Sequence, residues 1–409
     1  MGSAHHRVLH GFLALCLIVL LQASCSEGRK GRGADIPLTP GGDPVKIGIC
    51  MTSYGSLAEH AGRQMAGLKL AHDMMRSATA RRVDLAVKDP AASPRDYARS
   101  VRELIEQDQV AGIVSCASPD AIAAVREILE ARPVPFVVTS PCGPERMARD
   151  APPGLIRFCV PRRDQAFACA RFLSQVIKAR RVGVVVDVGD ADAVLRASLF
   201  SAEVIRAKGR IMDIMYVQKG QDPAAGVVHL LAERPDAVYI PFSGRQSLAV
   251  AVKIRTLQAA EPVLLSGPDA EETLLTEKDR RLDGVYVLTD FAGEAVTSTR
   301  GRDFVQFHRK NSGRTQYLGS ALATGAEAYF FMLDLLSGAQ KTSVEDAVKT
   351  AASWKGSLLG IAGSTPRGAI HPRLSFGRVE TGFLRGAALR HAASITVDRS
   401  DPVADVVTQ

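Results

Sequence analysis

The chain has 409 residues, with 51 Lys and Arg against 43 Asp and Glu, for a net charge of +8. The basic residues are scattered, as at Arg81–Arg82, Arg162–Arg163 and Arg180–Arg181, with no interleaved aromatics, which favours a solvated surface over a nucleic-acid partner. Aromatics make up 5% of the chain, too few for a surface that stacks sugars or bases.

The chain opens with a short basic region, HHR, and a short apolar run, GFLALCLIVLL. That run is too short to span a bilayer and suits the core of a signal peptide, here residues 1–24. It ends in LQASC, which resembles a bacterial lipoprotein signal with Cys25 as the residue to be acylated. Gln22 stands where that signal usually has Leu, so ordinary secretion with cleavage near Ala23 is the alternative. In Gram-negative bacteria a serine after the lipidated cysteine, here Ser26, favours the outer membrane. Residues 25–44 then form a lipidated, flexible tether rich in Gly and Pro. Beyond Cys25 no segment is apolar and long enough to cross a membrane.

VKIGIC, from Val45, is the first strand, and MTSYGS is its turn, which brings Ser53 and Tyr54 to a sheet edge. The following helix carries Leu57, Ala61, Met65, Leu68, Leu70 and Met75 inward. RVDLAVKDP is a second strand, and PRDYARSVRELIEQ an amphipathic helix burying Tyr97, Val101, Leu104 and Ile105. AGIVSC and PVPFVVT are strands of the type buried on both faces, joined by one helix with Ile122, Val125, Ile128 and Leu129 inward. Ser118 before Pro119 is an N-cap followed by proline at the first helical position. The two strands end in turns of small residues, SCAS and TSPCG, beside helix starts at Pro119 and Pro144, an arrangement suited to an anion. After LIRFCVPRRDQ the strand–helix alternation begins again and builds a second lobe, and an apolar helix, TGAEAYFFMLDLLSG, and short C-terminal strands follow it.

Seven cysteines, less Cys16 in the signal and Cys25, leave Cys50, Cys116, Cys142, Cys159 and Cys169. Export permits disulfides, and Cys50, Cys116 and Cys142 approach one sheet edge, so either one disulfide forms among them or they are buried thiols. Neither cysteines nor histidines have metal-ligand spacing, so no metal or cofactor is expected.

In order and spacing, VKIGIC, VKDPAASPRDYARSVRELIEQDQVAGIVS, PFVVTSP, RFCVPRRDQAFACARFL, RPDAVYIPFSG, VLLSGPD and GSTPRGAIHPRLSF resemble the periplasmic leucine/isoleucine/valine-binding protein family, the type I substrate-binding proteins of ABC importers. The resemblance implies an α/β fold of two doubly wound, Rossmann-like lobes joined by three crossover strands. It assigns residues 45–157 plus about 290–350 to the first lobe and 158–289 plus about 351–409 to the second. It also implies a ligand in the cleft, its carboxylate held by Ser115, Ala117, Ser118, Ser140, Pro141 and Cys142, with His60 against its side chain. Ser118 is equally an N-cap, and His60 equally a surface histidine. On the second lobe the resemblance points to Asp269 for the ligand ammonium and to Phe242 and Ser243 from IPFSG. Asp269 with Glu272 also makes a capping box. DVGDADA departs from the family's usual tyrosine–glycine pair and puts Asp187 and Asp190 on that wall, which suits a more polar or cationic ligand.

The function implied is an extracytoplasmic, lipid-anchored solute-binding protein that passes an amino-acid-like or small carboxylate or amide ligand to an ABC permease. The alternative is an outer-membrane lipoprotein of the same fold acting as a ligand sensor or a partner of cell-wall enzymes. No GxSxG, HExxH or Cys/His pattern supports an enzyme.

Overall fold

The first strand, β1 (Val45–Met51), is buried at every position but Lys46, as a strand covered on both faces must be. The computed structural model describes residues 44–55, 57–76, 82–90, 93–141, 154–257, 260–267, 270–276, 279–293, 296–311, 317–337, 343–359, 361–364, 369–372, 374–382 and 386–395. In it β1 lies between β2 (Val83–Lys88) and β3 (Gly112–Cys116), parallel to both. β4 (Phe136–Val138) and β5 (Leu155–Phe158) extend the sheet in parallel. The order β2-β1-β3-β4-β5 reverses between β1 and β3, the doubly wound pattern expected.

The second sheet repeats it. β6 (Arg181–Asp187), β7 (Arg210–Val217), β8 (Ala237–Ile240), β9 (Val263–Leu265) and β10 (Tyr286–Thr289) stand in the order β7-β6-β8-β9-β10. Its strands alternate between two cores. Val185, Val238, Ile240, Val263 and Leu265 pack on one face, and Val184, Val186, Tyr239 and Leu264 on the other. Side chains pointing to opposite faces at successive positions produce this division.

Helices cover both sheets. α1 (Ala58–Met75), α2 (Pro94–Glu106), α3 (Pro119–Ala124) and α4 (Arg126–Ala131) belong to the first lobe. α5 (Arg162–Arg171), α6 (Ala191–Arg206), α7 (Ala224–Ala232), α8 (Arg245–Thr256) and α9 (Ala270–Thr276) belong to the second. α10 (Thr299–Asn311), α11 (Ser320–Ser337) and α12 (Val344–Ser353) return to the first, where α11 lies along α1. α2 buries Tyr97, Val101, Leu104 and Ile105 as its period predicts, and Ser93 caps it by accepting from the Asp96 amide at 3.1 Å. The single helix expected over 119–131 is two, α3 and α4, with Val125 between them. α5 runs on into a π-helical turn, Phe172–Ile177, which ends at Lys178 in the left-handed region with φ 66°.

The C-terminal strands divide between the lobes. β12 (Ala369–Pro372) pairs in parallel with β5 through Ala369↔Arg157 and Ile370↔Phe158, and β11 (Ile361–Ser364) flanks it. β13 (Leu374–Gly382) runs antiparallel to β10, and β14 (Gly386–Ile395) pairs with β13. The chain therefore crosses between lobes three times: after Phe158, after Thr289, and between Pro372 and Leu374. The fold class agrees with expectation. The lobe boundary differs, since residues 361–364 and 369–372, expected in the second lobe, lie in the first sheet, where β12 pairs with β5 and β11 with β12. Of the two readings left open for the cysteines, Cys50 and Cys116 follow the second and are buried thiols, as is Cys169, whereas Cys159 is disulfide-bonded. Cys25, Cys142 and the signal and tether segments lie outside the described residues.

Candidate functional site

Between the lobes lies a cleft of about 110 Å³ with many polar side chains in its wall. The first lobe lines it with His60 and Gln64 of α1, Thr139–Pro141 after β4, and Ser320 and Thr324 of α11. The second lobe supplies Gln165, Arg196, Ser266–Gly267, Glu271–Glu272 and Thr289–Asp290. Residues 158–160 of the first crossing and Leu374 of the third complete its wall.

On the first-lobe wall one buried network fixes the polar side chains. Gln64, fully buried, accepts from Thr139 Oγ1 at 2.6 Å and donates through Nε2 to the Thr139 carbonyl at 2.9 Å. Its second amide hydrogen meets His60 Nε2 at 3.0 Å. Ser140 Oγ accepts from the Ala117 amide at 3.3 Å and ties the ends of β3 and β4 together.

The second-lobe wall carries charge. Arg196, 4% exposed, is held by Asp192 Oδ2 at 2.6 Å, the Ser266 carbonyl at 3.3 Å and Gln165 Oε1. Beyond it three carboxylates converge. Glu271 Oε2 accepts from Thr289 Oγ1 at 2.6 Å, whereas Oε1, fully buried, has no hydrogen-bond partner. Burial, then the neighbouring charges of Glu272 and Asp290, push the Glu271 carboxyl well above the usual range, and the hydroxyls of Thr289 and Tyr317 pull it back. Asp290 accepts from Ser320 Oγ, and its pKa is also raised by burial, against the pull of that hydroxyl and of His60. Glu272 Oε1 accepts from the Ala321 amide at 3.1 Å, capping α11 from the opposite lobe.

Of the residues the sequence points to, His60, Ser140 and Pro141 line this cleft. The others stand elsewhere, each for a local reason. Ser115 is fully buried, and its hydroxyl is bonded to Tyr97 Oη within the core. Ser118 caps α3, accepting from the Ala121 amide at 3.3 Å. With Tyr54 and Ala117 it lines a second depression that shares no residue with the cleft. Ser53 is engaged by Asp89, its hydroxyl at 2.7 Å. Asp187 closes its own turn on the Gly189 amide at 2.9 Å, and Asp190 caps α6 through the Asp192 and Ala193 amides. Phe242 is 2% exposed within the apolar core, and the Gly267 backbone packs against Phe242 and Ser243. Asp269 and Cys142 lie outside the described residues.

The cleft-lining residues not foreseen are Gln64, Arg196, Glu271 and Asp290. Glu271 sits within SGPDAEE, the stretch singled out for an acid, two positions beyond the residue chosen. Gln64 left a faint mark as the one polar position on a face otherwise formed by Ala61, Gly67, Leu68, Ala71 and Met75.

Two doubly wound lobes, three crossings and a polar cleft lined from both sides define a two-lobe binding protein. A profile of the family described as periplasmic binding protein matches residues 44–380. The chain belongs to that family, whose members bind solutes outside the cytoplasm and do not transform them. No curated protein matches it in sequence. Among solved structures it resembles a branched-chain amino acid ABC transporter periplasmic ligand-binding protein from Burkholderia xenovorans, at 14% identity and a TM-score of 0.71, covering 86% of this chain and 95% of that one. It also resembles the branched-chain amino acid transporter substrate-binding protein of Streptococcus pneumoniae in complex with isoleucine, at 16% identity and a TM-score of 0.68, covering 85% and 100%. A solute-binding protein from Rhodopseudomonas palustris in complex with 3,4-dihydroxybenzoic acid aligns at 17% identity and a TM-score of 0.66, covering 88% and 100%. At these identities the likeness speaks for the fold and leaves the ligand to the cleft itself.

Proposed function

We propose that this protein captures a small amino-acid-like solute between its lobes and presents it to an ABC permease, held at the membrane by a lipid on Cys25. The observation that carries the reading is the cleft: Gln64, Ser140 and Thr324 face it from one lobe, and Arg196, Glu271 and Thr289 from the other. A solute that touches both walls stabilises the closed arrangement over the open one, and the closed form is what a permease recognises. The contacts Glu272–Ala321 and Asp290–Ser320 join the lobes beside the same space. Solute capture and lobe closure then draw on one set of side chains.

A thermal-shift panel of amino acids, their amides and small aromatic carboxylates tests this. A solute present at a hundred times its dissociation constant should add about 2.7 kcal/mol of stability. Absence of any upward shift across the panel would refute solute binding by this cleft. The anchor is tested separately: Cys25→Ser should move the protein from the membrane to the soluble fraction, because stable attachment by acyl chains requires the lipidated residue. A variant that still pellets with membranes would show that Cys25 is not the anchor.

A further inference from the structure

We infer that the end of the second lobe opposite the cleft is a docking surface for an anionic phospholipid bilayer.

The cleft lies at the C-terminal ends of the strands, beside Ser266 and Thr289. At the other end of the same sheet, the turns that lead into β6, β7 and β8 gather cations that are scattered along the chain. Lys178, Arg180 and Arg181 stand on the first turn, and Arg206, Lys208 and Arg210 on the second. Arg234 stands on the third, and all of these side chains are exposed. The turns form one surface. The Arg210 amide donates to the Arg180 carbonyl at 2.7 Å, and Asp236 Oδ2 accepts from the Arg180 and Arg181 amides at 2.9 and 2.8 Å. The acids on these turns are Glu203, Glu233 and Asp236. Asp236 pairs with Arg181 and Glu203 with Arg206, whereas Lys178, Arg180, Lys208, Arg210 and Arg234 make no ion pair among the described residues. The surplus is positive, and Glu233 alone remains to offset it.

A second observation sets three of these cations apart. Lys178, Lys208 and Arg234 have φ of 66°, 61° and 51°, the left-handed region that glycine enters freely and a residue with a Cβ enters at a cost. A cation does suit a helix C-terminus, but Arg206 already serves α6 from its last turn, and Lys208 is not needed for that. The matching turn of the first lobe, before β3, has Gln109 at φ 54°, so the position itself calls for no charge. Val176 and Ile205, 44% and 62% exposed, stand beside Lys178 and Arg206. Aliphatic side chains among cations, with no exposed aromatic on these turns, suit a bilayer interface, where phosphates lie over acyl chains, better than a nucleic acid. The contact is electrostatic: it orients the protein at the membrane, is weakened by salt and does not replace an anchor.

Sedimentation of the full-length Cys25→Ser protein with vesicles of phosphatidylglycerol or of phosphatidylcholine, at low ionic strength, tests this. Binding should be confined to phosphatidylglycerol and lost as salt approaches about 1 M, where the screening length falls to about 3 Å. Replacing Lys178, Lys208 and Arg234 together, by glycine in one variant and by glutamine in another, should weaken binding about a hundredfold, at a factor of about five per cation. The glycine variant should melt no earlier than the parent, because glycine relieves the strain at all three positions. If either variant melts earlier, Arg180→Gln with Arg210→Gln carries the comparison. Equal binding to both kinds of vesicle, no binding to phosphatidylglycerol, or unchanged binding in the folded variants overturns the inference. Heparin bound more tightly than the vesicles, and lost in the same variants, overturns the bilayer assignment in favour of a soluble polyanion.

Discussion

Leucine in place of Gly325 should abolish the folded first lobe. A Cβ at Gly325 would lie 1.9 Å from the Gln64 carbonyl oxygen, and one at Gly67 would lie 1.9 Å from that of Leu322. The obstruction is reciprocal and is backbone in both directions, so no side-chain rotation relieves it. α1 and α11 approach this closely because neither helix carries a side chain at the crossing. Overpacking a core typically costs 1–3 kcal/mol; with backbone as the obstacle, about 3 kcal/mol or more is expected here even for alanine. Separating the helices would also pull Gln64 away from Thr139 and His60 and so dismantle the first-lobe wall of the cleft. Urea unfolding of Gly325→Ala and Gly325→Leu measures the effect. A midpoint equal to that of the parent in both would show that the helices are not in backbone contact.

The second large effect is a loss of stability as pH rises from about 4.5 to 7. Glu327, at the middle of α11, is fully buried and accepts from the amides of Ser357 at 2.6 Å, Leu358 at 2.8 Å and Leu359 at 3.4 Å. Burial raises its pKa from 4.5 to about 7, while the three amides hold it from rising further. The folded pKa is above the unfolded one, so the folded state keeps a proton that the unfolded state releases in this window. The stability that this proton contributes is therefore full below pH 4.5 and is lost as pH climbs to 7. A shift of this size corresponds to about 3 kcal/mol, on the scale of roughly 1.4 kcal/mol per unit. Glu271 and Asp290, raised by burial in the same way, add to the slope. Glu327→Gln should flatten the slope without removing it, because an uncharged amide leaves nothing to ionise at that position. Denaturant titrations at several pH values between 5 and 8 give the comparison. Equal slopes in parent and variant would place the titration elsewhere.

Short-range patterns in the chain led directly to structure. The inward face of α2, the Ser118–Pro119 helix start and the Val- and Ile-rich strands depend on neighbours within a few positions, and all three form as the pattern dictates. Features that depend on distant partners were not legible. Gln64 is polar at a buried position because Thr139, far along the chain, satisfies it. The division of the C-terminal strands rests on Ala369 pairing with Arg157, a contact that leaves no local trace. The acids show the sharpest contrast. Asp187 and Asp190 look like a ligand wall, yet short acidic side chains in a tight turn bond first to the nearest amides. Glu272 has the spacing of a helix cap and does serve as one, for a helix of the opposite lobe. Glu271 beside it is the acid that lines the cleft, bonded to Thr289 of the strand end next to it.

The central claim is that a solute lies between the lobes and is held by both. The most direct measurement is a crystal structure of the protein with the tightest-binding compound of the panel. The predicted result is a solute between Gln64 and Thr324 of the first lobe and Glu271 and Thr289 of the second. A solute seated instead in the depression formed by Tyr54, Ser93 and Ser118, or one touching a single lobe, would contradict the account.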